Sequence, residues 1–216
     1  MSIIESINIA LPRKISANGS RPFLTGILKK PVHGPVYLGK LGLSGDGVGD
    51  KKMHGGEDKA VCAYFMGHFP YWENEYSRKI LPGSFGENLT ISGMSETDIH
   101  IGDIFIIGKA LVQCSQPRQP CHKLNKVFYN QQMACQVKTA GFSGFYLRVI
   151  KPGRINAGMK LERMVPGFLR VSVAEVNRSI RKDRSKNINY KRILSVTALA
   201  DEFRMIVRKK AGLIVD

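Results

Sequence analysis

The segment Cys114-Ser-Gln-Pro-Arg118-Gln-Pro-Cys121-His122-Lys123 gathers thiols, an imidazole and two cations within ten residues. Pro117 and Pro120 push Gln116 and Gln119 toward extended conformations, which predicts a stiff, non-helical loop. Such a loop can hold a sulfur in a fixed place. Arg118, His122 and Lys123 surround Cys121 with positive charge. Cationic neighbours stabilise a thiolate and prepare it for metal ligation or nucleophilic attack. A buried cysteine acting as a small hydrophobe is the plain alternative. None of the cysteines at 62, 114, 121 and 135 forms a C-x-x-C, which argues against a zinc knuckle, a thioredoxin motif or a haem attachment. One thiolate instead suits a softer metal whose other ligands come from a cofactor.

A second group of chemical residues is Asp46-Gly-Val-Gly-Asp50-Lys-Lys-Met-His54-Gly-Gly56-Glu-Asp58-Lys59. Its four glycines permit close approach of a ligand to the backbone. Successive N–H groups in such a loop can form an anion-binding nest, with Lys51, Lys52 and Lys59 adding charge. His54 could hydrogen-bond a ligand or carry a proton. The alternative is an ordinary glycine-rich turn with a solvated rim. Other motifs fail on inspection. Gly34-x4-Gly39-Lys40 is followed by Leu41, so the hydroxyl that binds Mg²⁺ in a P-loop is missing. Val48 and Lys51 break an EF-hand count begun at Asp46. Neither a dinucleotide-binding glycine fingerprint nor H-E-x-x-H occurs.

These segments need a scaffold, and 216 residues suffice for one large domain or one domain with an appendage. With 43% hydrophobic and 23% charged residues, the composition excludes a disordered or collagen-like chain. The 33 Lys and Arg against 17 Asp and Glu give a net charge of +16, which favours anionic partners. No apolar run approaches the ~18 residues of a membrane span. The start, MSIIESINIALPRK, lacks the pattern of a signal peptide. A cytoplasmic protein without disulfides is expected.

Two unequal parts are expected, residues 1–163 and 164–216, carrying net charges of +9 and +7. The first is rich in glycine and in short apolar runs, including Val36–Leu38, Lys59–Phe65, Asn88–Ile91 and Phe145–Ile150. Gly108-Lys109 between two apolar runs predicts a type II′ hairpin. Helices are expected over Trp72–Ile80 and Asn130–Thr139. Together these predict a mainly β fold, a barrel or sandwich with a few helices. In the second part, Ser172-x-x-Glu175 reads as a capping box. A short helix at Tyr190–Leu194 and a third capped by Thr197 and stopped by Gly212 complete a basic three-helix unit. Cys62, Cys114 and Cys135 are read as structural, and Tyr71, Trp72 and Tyr76 as a packed helix face.

Four motifs in fixed order resemble the MOSC family, named for the C-terminal domain of molybdenum-cofactor sulfurases. They are Gly45-Asp46 through Asp50 and His54-Gly-Gly56 to Lys59-Ala-Val61, then Gly86-Glu-Asn-Leu89, then Gln119-Pro-Cys121-x-Lys123-Leu124, then Gly141-Phe-x-Gly144-Phe-Tyr-x-Arg148-Val149. The likeness spans roughly residues 20–162, and the basic tail makes the chain most similar to the bacterial YiiM branch.

The resemblance implies a MOSC-type β-barrel at residues 1–163, followed by the small three-helix domain at 164–216. It implies the molybdenum cofactor, a molybdopterin, with Cys121 as metal ligand. Lys29, Arg118 and the His54-Gly55-Gly56 loop would hold the cofactor phosphate, and Asn88 the pterin. The implied reaction is reduction of N-hydroxylated compounds such as 6-hydroxylaminopurine by N–O cleavage, independent of pyridoxal phosphate. His54 or His122 would supply protons. Electrons would come from a separate NAD(P)H-dependent flavoprotein, for which the basic tail could be a docking surface or a lid. A cofactor carrier or sulfur-transfer protein is the alternative, because it needs the same pocket. Nucleic-acid binding is a further one, disfavoured because no aromatic residues interleave with the basic ones. No membrane partner is expected.

Overall fold

A computed structural model describes residues 1–16, 22–181 and 187–214. Its strands begin with β1 (Ile3–Ile9), β2 (Arg13–Ile15), β3 (Phe23–Thr25), β4 (Lys30–Pro31), β5 (Val36–Gly39) and β6 (Gly42–Leu43). They continue with β7 (Val61–Phe65), β8 (Leu89–Ser92), β9 (Ile104–Ile107), β10 (Ala110–Pro117), β11 (Phe145–Lys151), β12 (Gly153–Ile155) and β13 (Glu162–Val165). The helices are α1 (Lys51–His54), α2 (Phe69–Tyr76), α3 (Lys123–Val127), α4 (Met133–Ala140), α5 (Val173–Ser179), α6 (Tyr190–Leu194) and α7 (Asp201–Lys210).

Eight strands form one curled sheet in the order β13-β9-β10-β11-β7-β8-β1-β4. Only β7 and β8 pair in parallel; the other neighbours are antiparallel. The curl brings its ends together. Ile4 N donates to Met159 O at 2.9 Å and Leu161 N to Ser2 O at 3.0 Å, so the approach to β13 is bonded to β1. The result is the mainly β, barrel-like fold expected. β7 lies inside the sheet and is buried at all five positions, which is why its run Val-Cys-Ala-Tyr-Phe shows no alternation. Small sheets β12-β5-β6 and β2-β3 flank the curl. Gly108, at φ +56°, opens the two-residue turn between β9 and β10 and fits the expected II′ hairpin.

Several helix boundaries differ from expectation. α2 starts three residues before Trp72, because Pro70 suits a first helical turn, and it stops at Ser77 in the left-handed region. α4 starts at Met133 rather than Asn130. A helix not expected at all, α3, follows directly on Cys121-His122 and buries Leu124. Ser172 does cap α5, accepting from Glu175 N at 3.0 Å, but the Glu175 carboxylate pairs with Arg192 instead of reaching back. Thr197 does not cap α7: Ala200 occupies the cap position with no side-chain bond, and Asp201 and Glu202 supply first-turn charge.

The main apolar core runs from the inner face of the sheet (Ile4, Phe105, Val112, Leu147) into the C-terminal helices through Val173, Val176, Ile193, Phe203 and Val207. A second cluster joins Tyr64, Trp72, Phe85, Phe128 and Met133. Trp72 is buried there and donates its indole N–H to Tyr64 at 2.7 Å, so the packed-face reading holds for it, whereas Tyr71 is 45% exposed. Among the described residues no helix is long and apolar enough to cross a membrane.

One turn ties this scaffold to the loop that follows β10. Gly144, at φ +71°, donates to Glu96 Oε1 at 2.9 Å and accepts from Arg118 N at 3.1 Å. A Cβ there would meet Ala63 O at 2.2 Å. Gly144→Ala is therefore expected to cost about 2–5 kcal/mol from left-handed strain and overpacking. Urea unfolding tests this, and an unchanged midpoint would contradict it.

Candidate functional site

A cavity of about 340 Å³ opens where residues 25–29, 41–62, 86–88 and 118–123 converge beside Tyr146 of β11. Among the described residues, five cations line it (Lys29, Lys51, Lys59, Arg118 and Lys123) against one carboxylate, Asp46. Apolar side chains, among them Ile27, Leu41, Leu43 and Val48, share the wall.

Arg118 sits just past β10 and is only 5% exposed. Its Nη2 donates to Phe85 O, while Nη1 has no partner among the described residues. The acceptor is itself held in place. Buried Glu87 accepts from Gly83 N at 2.7 Å and Phe85 N at 3.0 Å, which shapes the turn that presents the Phe85 carbonyl. Burial raises the Glu87 pKa in spite of these donors. Burial also opposes the Arg118 charge, but Cys62, Tyr146, Glu87 and Tyr64 outweigh it, and the guanidinium pKa lies above its ordinary value. A charged group with an unmade bond at this depth costs free energy until an acceptor arrives.

The lining holds a second polar network. Lys29 is ion-paired with Asp46, both side chains being nearly buried. Asp46 also accepts from Ala10 N at 2.8 Å and Asn88 Nδ2 at 2.8 Å. Asn88 Oδ1 accepts from Cys62 N at 3.1 Å. The side chains of Lys29 and Asn88 are thus engaged within the protein while lining the cavity.

The glycine-rich loop is more regular than a nest. It folds into the single turn α1, capped by Asp50, whose side chain accepts from Met53 N at 3.1 Å. Gly55 N donates to Lys51 O at 3.0 Å, so that N–H serves the helix instead of a ligand. Gly55, Gly56 and His54 line the cavity as expected. Burial lowers the His54 pKa from 6.5, and Arg118, Lys123 and Lys59 lower it further against Asp50. Both effects favour the neutral imidazole.

Cys121 is half-buried and lines the cavity. Its Sγ lies 3.9 Å from Nδ1 of His122, which is exposed and outside the lining. Cys114 is buried in the core, and burial lifts its thiol pKa well above the usual value. Cys135, expected to be structural, is exposed on α4. Cys62 is buried as expected but also lines the cavity. Tyr146, whose pKa is raised chiefly by burial and further by Cys62, Cys121 and Glu202, was not singled out by sequence. Tyr146 stands inside the fourth motif without being marked out there as a site residue, and Cys62 follows directly on the first motif in a wholly buried strand. Among the described residues no group of three or more His, Cys, Asp and Glu side chains is arranged to hold a metal ion.

Residues 50–162 match the model of the MOSC domain. The chain belongs to the MOSC family. Escherichia coli protein YiiM is 36% identical over 86% of this chain and 84% of its own. A Gibberella moniliformis protein named "Reductase" is 32% identical over 81% of this chain, which spans only 31% of that protein. The crystal structure of YiiM from Geobacillus stearothermophilus superposes with a TM-score of 0.82 at 38% identity, covering 97% of this chain and 99% of that one. These similarities place the chain in the YiiM branch. The MOSC match contains α1, Arg118 and Cys121, whereas Lys29, Asp46 and α7 come from outside it.

The cationic surroundings of His54 have a measurable sign. Its NMR titration midpoint is expected below 6.5, rising when inorganic phosphate neutralises the cations around it. The corresponding stability is complete above pH 6.5 and is lost as pH falls toward the folded midpoint. A midpoint at or above 6.5 without phosphate would contradict this environment.

Proposed function

We propose that this MOSC-family protein binds the molybdenum cofactor in the cavity and reduces N-hydroxylated compounds, such as 6-hydroxylaminopurine, by cleaving the N–O bond. The observation that carries the reading is the buried Arg118 with its unpartnered Nη1, lining the same cavity as the half-buried Cys121 thiol. A pterin dithiolene with a terminal phosphate asks for an anion site and a soft metal ligand, and those are the two features present. Membership of the MOSC family and the relative named as a reductase support it.

When bound, the cofactor supplies the two electrons that cleave the N–O bond. Cys121 would hold the metal as a thiolate. Arg118 would close its open bond on the phosphate, with Lys59 and Lys123 adding charge. Lys29 and Asp46 set the position of Asn88, whose amide stays tied to Cys62 N and shapes the pterin side of the wall. His54, whose surroundings favour the neutral imidazole, is suited to relay a proton to the leaving oxygen by giving one up and taking another. His122, on the exposed side of Cys121, would serve only as a relay toward solvent. Ile27, Leu41, Leu43 and Val48 exclude water from one wall and favour a flat, weakly polar ring. A separate NAD(P)H-dependent flavoprotein in the cytoplasm would deliver the electrons.

The test is to produce the protein in a host that makes molybdopterin and to assay 6-hydroxylaminopurine reduction with a dithionite-reduced viologen dye. Cys121→Ser is expected to lower turnover at least 100-fold with the fold intact, and Cys135→Ser to leave it unchanged. Equal loss in both variants, or in neither, would overturn the ligand assignment. Bound cofactor without turnover would favour a carrier.

A further inference from the structure

We propose that Glu202, on the C-terminal helix α7, is a positioning residue of the cavity: an internal carboxylate that shares Lys59 with the ligand anion and so sets how tightly the cavity holds it. This rests on the reading of the cavity as an anion site.

Lys59 lines the cavity with a side chain only 6% exposed. Its Nζ donates to Met53 O at 2.8 Å, within α1, and to Glu202 Oε2 at 2.5 Å. An ammonium has three donors, so these two partners leave one for a ligand. The partners differ in kind. Met53 O is a fixed backbone acceptor, whereas the Glu202 side chain is 54% exposed and can turn to water. Glu202 therefore competes with any anion in the cavity for the same buried charge, and an arriving anion can displace it at low cost. Its charge reaches further, since it also acts on Tyr146 of the cavity wall.

Bonds outside the pair hold it in register. Ala200 N, just before α7, donates to Ser115 O at 3.1 Å. Ser115 Oγ in turn donates to Asp58 O at 2.6 Å, the residue before Lys59. One serine of β10 thus anchors both the helix and the turn that carries the lysine. The helix docks through buried Phe203 and Val207, and a half-exposed carboxylate adds little to that. Its position is better explained by what it does to Lys59.

Calorimetric titration of the full chain with inorganic phosphate tests the proposal. Glu202→Gln keeps a hydrogen-bond acceptor and removes the competing charge, so phosphate is expected to bind at least threefold tighter. Lys59→Met is expected to weaken it at least tenfold and to abolish the effect of Glu202→Gln in the double variant. In the unaltered protein, phosphate is expected to shift the carboxyl resonance of Glu202. A purely structural role for Glu202 would lower the melting temperature and leave affinity unchanged or weaker, which would overturn the proposal. So would tightening that persists in the Lys59→Met background. Absence of phosphate binding by the unaltered protein would overturn the anion reading itself, and the proposal with it.

Discussion

A guanidinium stays charged at every pH a protein experiences, so burying Arg118 obliges the surrounding chain to satisfy its donors. Much of the site follows from that constraint. The Gly144 turn accepts its backbone N–H, and the Phe85 carbonyl accepts Nη2. That carbonyl points correctly because Glu87, buried behind it, binds the N–H groups of Gly83 and Phe85. Gly144 is fixed in turn by Glu96, which also bonds His68 at 2.7 Å. Two turns distant in sequence thus converge on one residue, one on its backbone and one on its side chain. They leave the buried Nη1 without a partner among the described residues, on a side chain that lines the cavity.

A second part of the lining is built on another economy. Among the described residues Asp46 is the only carboxylate in the lining, and it is bonded to Lys29, Ala10 and Asn88. Its charge holds β1, β8 and the glycine-rich loop together and leaves the remaining lining cations to dominate the field. That field depresses the His54 pKa after burial has begun to do so. The cavity therefore prepares a cationic surface, a neutral imidazole and a half-buried thiol within one enclosure. Phosphate recognition, proton relay and soft-metal ligation ask for these respectively. The C-terminal helices share the apolar core and reach the same enclosure through Glu202.

What could be read from sequence was local. Gly108-Lys109 announces its hairpin because only a residue tolerant of positive φ fits the first turn position. Ser172 announces the start of α5 through its side-chain oxygen. Cys121, Arg118 and His54 stand out because charge, proline and glycine cluster around them. The boundaries of α2 and α4 were less legible, since a proline start and a left-handed stop moved one and tertiary packing the other. Thr197 has the chemistry of a cap, yet the helix begins four residues later, where first-turn acids replace it. Cys62 lies in a strand buried at every position and Tyr146 in the buried first half of β11, where side-chain type carries no periodic signal. The Lys59–Glu202 pair joins residues 143 apart, and nothing in either neighbourhood points to the other.

The central claim is that Arg118 and Cys121 face one anionic, metal-bearing ligand. Protein isolated from a host that makes molybdopterin tests it most directly, by measuring bound molybdenum and pterin in the unaltered chain and in Arg118→Met. The expected result is near one molybdenum and one pterin per chain, falling together at least tenfold in the variant. A fully folded, unaltered chain carrying neither, or an Arg118→Met chain that retains both, would contradict it.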